Sequence, residues 1–139
     1  MKKYFTIFFG ILFGFSACQH KEKESNDFEN KKQAQISANL KVINSLKNEG
    51  DNLTVSREVF HWIYFKNESE KNNYLKEVIK QGFILVSSNK IEDKLPYQLQ
   101  IKRIDKVDES NVNEYVIYLW KKALEYNGDY DGWETSVEK

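Results

Sequence analysis

The element order that this 139-residue sequence predicts is a helix followed by strand, helix, strand, strand, helix and strand, which makes it an α+β protein. Three observations carry that reading. Apolar residues recur at helical spacing in three segments, they alternate or crowd at strand spacing in four, and glycines stand at the boundaries between them. The length suits one domain with one core. With 21 Lys and Arg against 21 Asp and Glu, the chain has no global positive field to concentrate nucleic acid, so direct nucleic-acid binding is not expected. A single cysteine, Cys18, excludes an internal disulfide and any zinc site built on several thiolates.

Residues 1–17 precede the domain. Two lysines follow the initiator, an uncharged run extends from Tyr4 to Phe15, and the small Ser16 and Ala17 stand before Cys18. That is the layout of a secretory signal, and the run is too short for a membrane span, which needs roughly 20 residues. A cysteine at this place resembles the bacterial lipobox, in which the thiol is lipidated and becomes the new N-terminus. Cys18 is therefore the expected lipid attachment and the route to a membrane, which places the protein in the cell envelope. Phe15 stands where the lipobox usually has leucine, so cleavage after Ala17 by an ordinary signal peptidase is the other reading. Residues 18–32, nearly all charged or amide with Phe28 the apolar exception, are expected to be a disordered tether, and His20 is read as part of it.

The folded part is expected over 33–139. Ile36, Leu40, Ile43 and Leu46 mark an amphipathic helix that Gly50 stops. In REVFHWIYF, Val59, His61, Ile63 and Phe65 share one face and Phe60, Trp62 and Tyr64 the other, so the strand is expected to be central and covered on both sides. Asn67 and Glu70 form a capping pair for a helix carrying Tyr74, Leu75, Val78 and Ile79. Residues 83–88 form a short apolar strand. After a polar loop containing Pro96, Tyr97, Leu99 and Ile101 alternate with polar residues in the next strand. The third helix runs from about Asn111 to Tyr126, and the chain ends in a turn and a short strand on which Trp133, Thr135 and Val137 share a side. From the first strand onward this is the βαββαβ pattern of a ferredoxin-like sandwich with an antiparallel sheet. The extra first helix is available to cover part of the face that the other two leave open.

The most distinctive string is YDGWETSV, preceded by KKALEYNGD. With EVFHWIYF, YLKEVIKQGFILVSS and VNEYVIYLWKKALEY upstream, it resembles the regulator of ribonuclease E activity B family over about residues 35 to 137. The resemblance implies a ferredoxin-like sandwich without catalytic activity that acts by binding a protein, ribonuclease E for the cytoplasmic members. Mapped onto the terminal motif, Tyr130, Asp131, Gly132, Trp133 and Glu134 are the candidate partner-binding residues. A secreted, lipid-anchored chain would not meet a cytoplasmic nuclease, so the identity of the partner does not follow from the resemblance.

Two other readings stay open at this point. His61 could work with Asp131 or Glu134 as an acid–base pair in a small envelope enzyme, if the last strand lies beside the first. Asn127, Asp129, Asp131, Gly132 and Glu138 have the spacing of a calcium loop over 127–138, although Glu134 is out of pattern and no exiting helix follows. No serine or cysteine has a nucleophile's surroundings, neither Arg57 nor Arg103 sits in a phosphate-cradling loop, and no pattern calls for a cofactor.

Overall fold

The computed structural model describes residues 12–139, with side chains from Lys21 onward. The expected signal segment thus lies outside the described residues up to residue 11, as does the side chain of Cys18. Helix α1 (Leu12–Asn48) is followed by β1 (Arg57–Phe65), α2 (Glu68–Ile79), β2 (Ile84–Lys90), β3 (Tyr97–Asp105), α3 (Glu109–Glu125) and β4 (Gly128–Thr135). The four strands form one antiparallel sheet in the order β2-β3-β1-β4, the ferredoxin-like arrangement. The chain divides into two compact units, residues 1–35 and 36–139.

The segment expected to be a tether is helical instead. It contains neither glycine nor proline between residues 18 and 35, and side-chain pairs one turn apart support the helix: Lys31 with Asp27 at 2.7 Å and Gln33 with Glu29 at 2.9 Å. From Lys21 to Lys31 every residue is exposed, so helix propensity and these pairs, not packing, account for it. Among the described residues no helix is long and apolar enough to cross a membrane.

Within residues 36–139, β1 holds the sheet together by pairing with β3 on one edge and β4 on the other. Val59, His61, Ile63 and Phe65 point to the side taken by α2 and α3 and are fully buried, along with Leu99 and Ile101 of β3. Phe65 packs on Tyr74 of α2 with ring centroids 5.1 Å apart, and His61 meets Tyr115 of α3 at 5.6 Å. Asn67 caps α2 by accepting from the Glu70 N–H at 2.9 Å, as the capping pair predicts, and Asp108 caps α3 in the same way.

Helix α1 departs from expectation in its inward row and in its side of the sheet. The row is Ile36, Asn39, Ile43 and Leu46, while Leu40 is 38 % exposed. Asn39 is buried and donates to Asn113 Oδ1 of α3 at 2.9 Å. Its own Oδ1 accepts from the indole Nε1 of Trp133 at 3.1 Å. Trp133 pairs with His61, and paired residues of antiparallel strands point the same way. This part of α1 therefore joins α2 and α3 on one face, and the other face, carrying Phe60, Trp62 and Tyr64, is left half-exposed instead of covered.

The turn into β1 and the carboxyl end are fastened by one buried ion pair. Arg57 is paired with Asp51 and also donates to the carbonyls of Asn52 at 2.6 Å, Val55 at 3.1 Å and Ser136 at 3.0 Å. Asp51 accepts from the Glu138 N–H at 2.8 Å. Burial raises the Asp51 pKa, but Arg57 and that N–H outweigh it and hold the carboxyl below its ordinary value.

Gly128 opens β4 beneath the Phe65 ring, into which a Cβ would run directly. Asn127 before it takes φ 53°, so the left-handed residue and the missing side chain work together to end α3 and start β4. Replacing Gly128 by alanine should destabilise the domain by about 1 to 3 kcal/mol through overpacking, measured as a lower thermal midpoint. An unchanged midpoint would mean that Phe65 yields freely.

Candidate functional site

The five residues of the terminal motif fall into two groups. Tyr130 is buried, Trp133 is half-buried, and both point to the helical side opposite Ile63 and His61. Asp131 and Glu134 are exposed; Glu134 stands opposite Phe60 and thus on the open face. Asp131 and Gly132 make no terminal turn. They lie within β4, where the register with β1 slips by one residue, Tyr130 pairing with Ile63 and Gly132 with Trp62. Gly132 takes φ 155°, which L side chains rarely adopt.

His61 is fully buried, with Nδ1 2.7 Å from the Tyr130 hydroxyl. Burial pushes the Tyr130 pKa well up, so its O–H is retained and the hydroxyl and Nδ1 share one neutral hydrogen bond. Among the described residues Nε2 has no hydrogen-bond partner, and the Phe83 and Tyr115 rings stand edge-on to the imidazole. Burial, assisted by the charge of Arg103, lowers the His61 pKa to about 3. The acid–base reading fails on this geometry: His61 is neutral and enclosed, and Glu134 lies on the far side of the sheet.

The calcium reading fails as well. Residues 128–135 are an extended strand, which spaces alternate side chains about 7 Å apart instead of wrapping them around one ion. Asn127 donates to Glu70 Oε1 at 2.7 Å, and the Glu138 carboxylate accepts from Ser136 at 2.9 Å. Among the described residues no group of three or more His, Cys, Asp or Glu is placed to hold a metal.

Two clefts among the described residues lie beside the sheet. One, of about 320 Å³, is lined by Arg103, Asp105, Tyr115 and Tyr118. Arg103 is already committed there, donating to both Asp105 oxygens at 2.8 and 3.0 Å and to the Gln81 carbonyl at 2.9 Å, so it is no anion receptor. The other, of about 580 Å³, lies at one end of the open face, where Tyr64 meets Asp129 and Asp131 of β4 and the β2–β3 loop with Asp93 and Lys94.

This face is not legible in the sequence, because Phe60, Trp62 and Tyr64 look like core residues of a strand covered on both sides. Nor does the apolar pattern single out Asn39. The signal was available in the spacing: from Ile36 to Leu46 the inward steps of three, four and three residues pass through Asn39, not Leu40.

A family model described as regulator of ribonuclease activity B matches residues 36–135, which is most of the chain and nearly all of its second compact unit. No curated protein matches the sequence.

Trp133→Ala should lower stability by about 3 kcal/mol, since it empties packing on β4 and strands the Asn39 amide, whereas Trp133→Phe should cost about 1 kcal/mol. Thermal melts of the two variants decide it, and an unaltered midpoint in Trp133→Ala would contradict the packing role. For His61, the unfolded chain takes up a proton below about pH 6.5 that the native state refuses until about pH 3. Stability should therefore be complete above pH 6.5 and fall through that window by up to about 1.4 kcal/mol per pH unit. A His61→Leu/Tyr130→Phe double variant should lose this slope in denaturant titrations at several pH values.

Proposed function

The chain belongs to the regulator of ribonuclease activity B family, and we propose that it exercises that family's regulatory, non-enzymatic, protein-binding role from the cell envelope, held to a membrane by a lipid on Cys18. The observation that carries the regulatory part is the match over residues 36–135, seen beside a site region whose single histidine is enclosed and neutral. Support for the anchor comes from the sequence: a short uncharged run behind two lysines, then Ser16, Ala17 and Cys18. Several acyl chains on one cysteine, at roughly 0.8 kcal/mol per buried methylene, hold a protein stably where a single chain does not. On this reading the partner is a protein of the compartment facing that membrane, not ribonuclease E in the cytosol.

Cell fractionation with Cys18→Ser tests the anchor. The unaltered protein is expected in the membrane fraction with a mass increase from acylation, and the variant in the soluble fraction without it. Recovery of the unaltered protein in the cytosol would overturn the envelope reading and restore ribonuclease E as the partner. Suppressed RNA cleavage in a mixture of the two purified proteins would then follow.

A further inference from the structure

We propose that the open face of the sheet is the docking surface, and that its occupant is an extended protein segment carrying lysine or arginine at alternate positions. This rests on the protein-binding reading and adds to it the surface and the chemistry of the partner.

The three helices of residues 36–139 share one side, so β1 presents Phe60, Trp62 and Tyr64 on the other as a half-exposed aromatic stripe. Two residues of strand span about 7 Å, so the rings repeat at the spacing of alternate side chains in an extended peptide. Beside Trp62 the β4 partner is Gly132, and a Cβ built there meets nothing within 4 Å. That leaves open space along one edge of the indole.

Charge selects the occupant. Asp129 and Glu134 stand opposite Tyr64 and Phe60, and Asp131 joins Asp129, Asp93 and Tyr64 around the cleft at the end of the stripe. Among the described residues none of Asp129, Asp131 and Glu134 has an ion-pair partner, and Lys94 is the sole cation lining that cleft. The border repels phosphate, so single-stranded RNA, which also stacks on aromatic sheet faces, is the wrong partner. It attracts cations.

The chain shows on the same face how a cation would sit. Lys102 Nζ lies 5.6 Å from the centre of the Phe60 ring while Glu58 holds it at 2.5 Å. An aromatic face below and a carboxylate beside is the arrangement that Trp62 and Tyr64, with Asp129, Asp131 and Glu134, offer unfilled.

The test uses the full chain and an eleven-residue peptide with arginine at alternate positions separated by serine, followed by fluorescence anisotropy at low salt. Saturable binding is expected, weakened at least tenfold in Asp129→Asn/Asp131→Asn/Glu134→Gln and in Trp62→Ala. It should be unchanged in Glu49→Gln/Glu109→Gln/Glu114→Gln, which removes as many exposed charges away from the open face. The glutamate version of the peptide and a twelve-nucleotide oligouridylate should not bind. Undiminished binding in the first triple variant, equal loss in the second, or preference for the oligouridylate would each overturn the proposal. The first triple variant alters surface charge only, so the test holds even if Trp62→Ala folds poorly. Failure here with regulation of a partner intact would move the surface elsewhere; failure of the regulatory reading would leave peptide binding in place without effect on any partner.

Discussion

Strand β1 is hydrogen-bonded along both edges while helices roof only one of its two apolar faces, and the rest of the domain follows from that imbalance. Its inward row, Val59, His61, Ile63 and Phe65, supplies the centre of the core. Its outward row is roofed by no helix of residues 36–139 and stays half-exposed. Fully burying rings the size of Phe60, Trp62 and Tyr64 is worth a few kcal/mol each, part of which these half-exposed rings forgo. A partner that covers them recovers that free energy. The same strand thereby serves stability on one side and recognition on the other.

The terminal motif is divided by the same logic. Tyr130 fills the hydrogen-bonding need of a buried imidazole, and Trp133 ties β4 through Asn39 to both α1 and α3. These two aromatics hold the sheet's edge strand in register. Asp131, Gly132 and Glu134 do the opposite kind of work: the carboxylates reach the open face and the glycine keeps the flank of Trp62 clear. The motif is thus half support and half surface, and its conspicuous tryptophan belongs to the support.

Strand and helix positions were legible in the sequence because their signals are local. Asn67 before Glu70 sets a helix start, Leu99 and Ile101 alternate with polar residues, and Asn127-Gly128 ends a helix. Which side each element takes is a tertiary matter, and there local pattern misleads. The double apolar face of REVFHWIYF predicts cover on both sides, but β1 is central in the sheet without being central in the layers. The Asp131-Gly132 pair has turn composition, yet it sits as a bulge inside a continuous strand because β1 is there to pair with it. The tether departs from expectation for a related reason: a segment too polar to pack can still be helical when it lacks Gly and Pro and places opposite charges one turn apart.

The proposed docking surface is the helix-free face of the sheet. Amide and indole NMR spectra of the isotopically labelled chain, recorded as the alternating arginine peptide is added, test it most directly. Shifts are expected at the Trp62 indole N–H and along residues 58–64, 98–102 and 129–134, with the Trp120 indole, on α3 at the helical side, undisturbed. Shifts confined to α2 and α3, or a titration that moves Trp120 and leaves Trp62 in place, would contradict it.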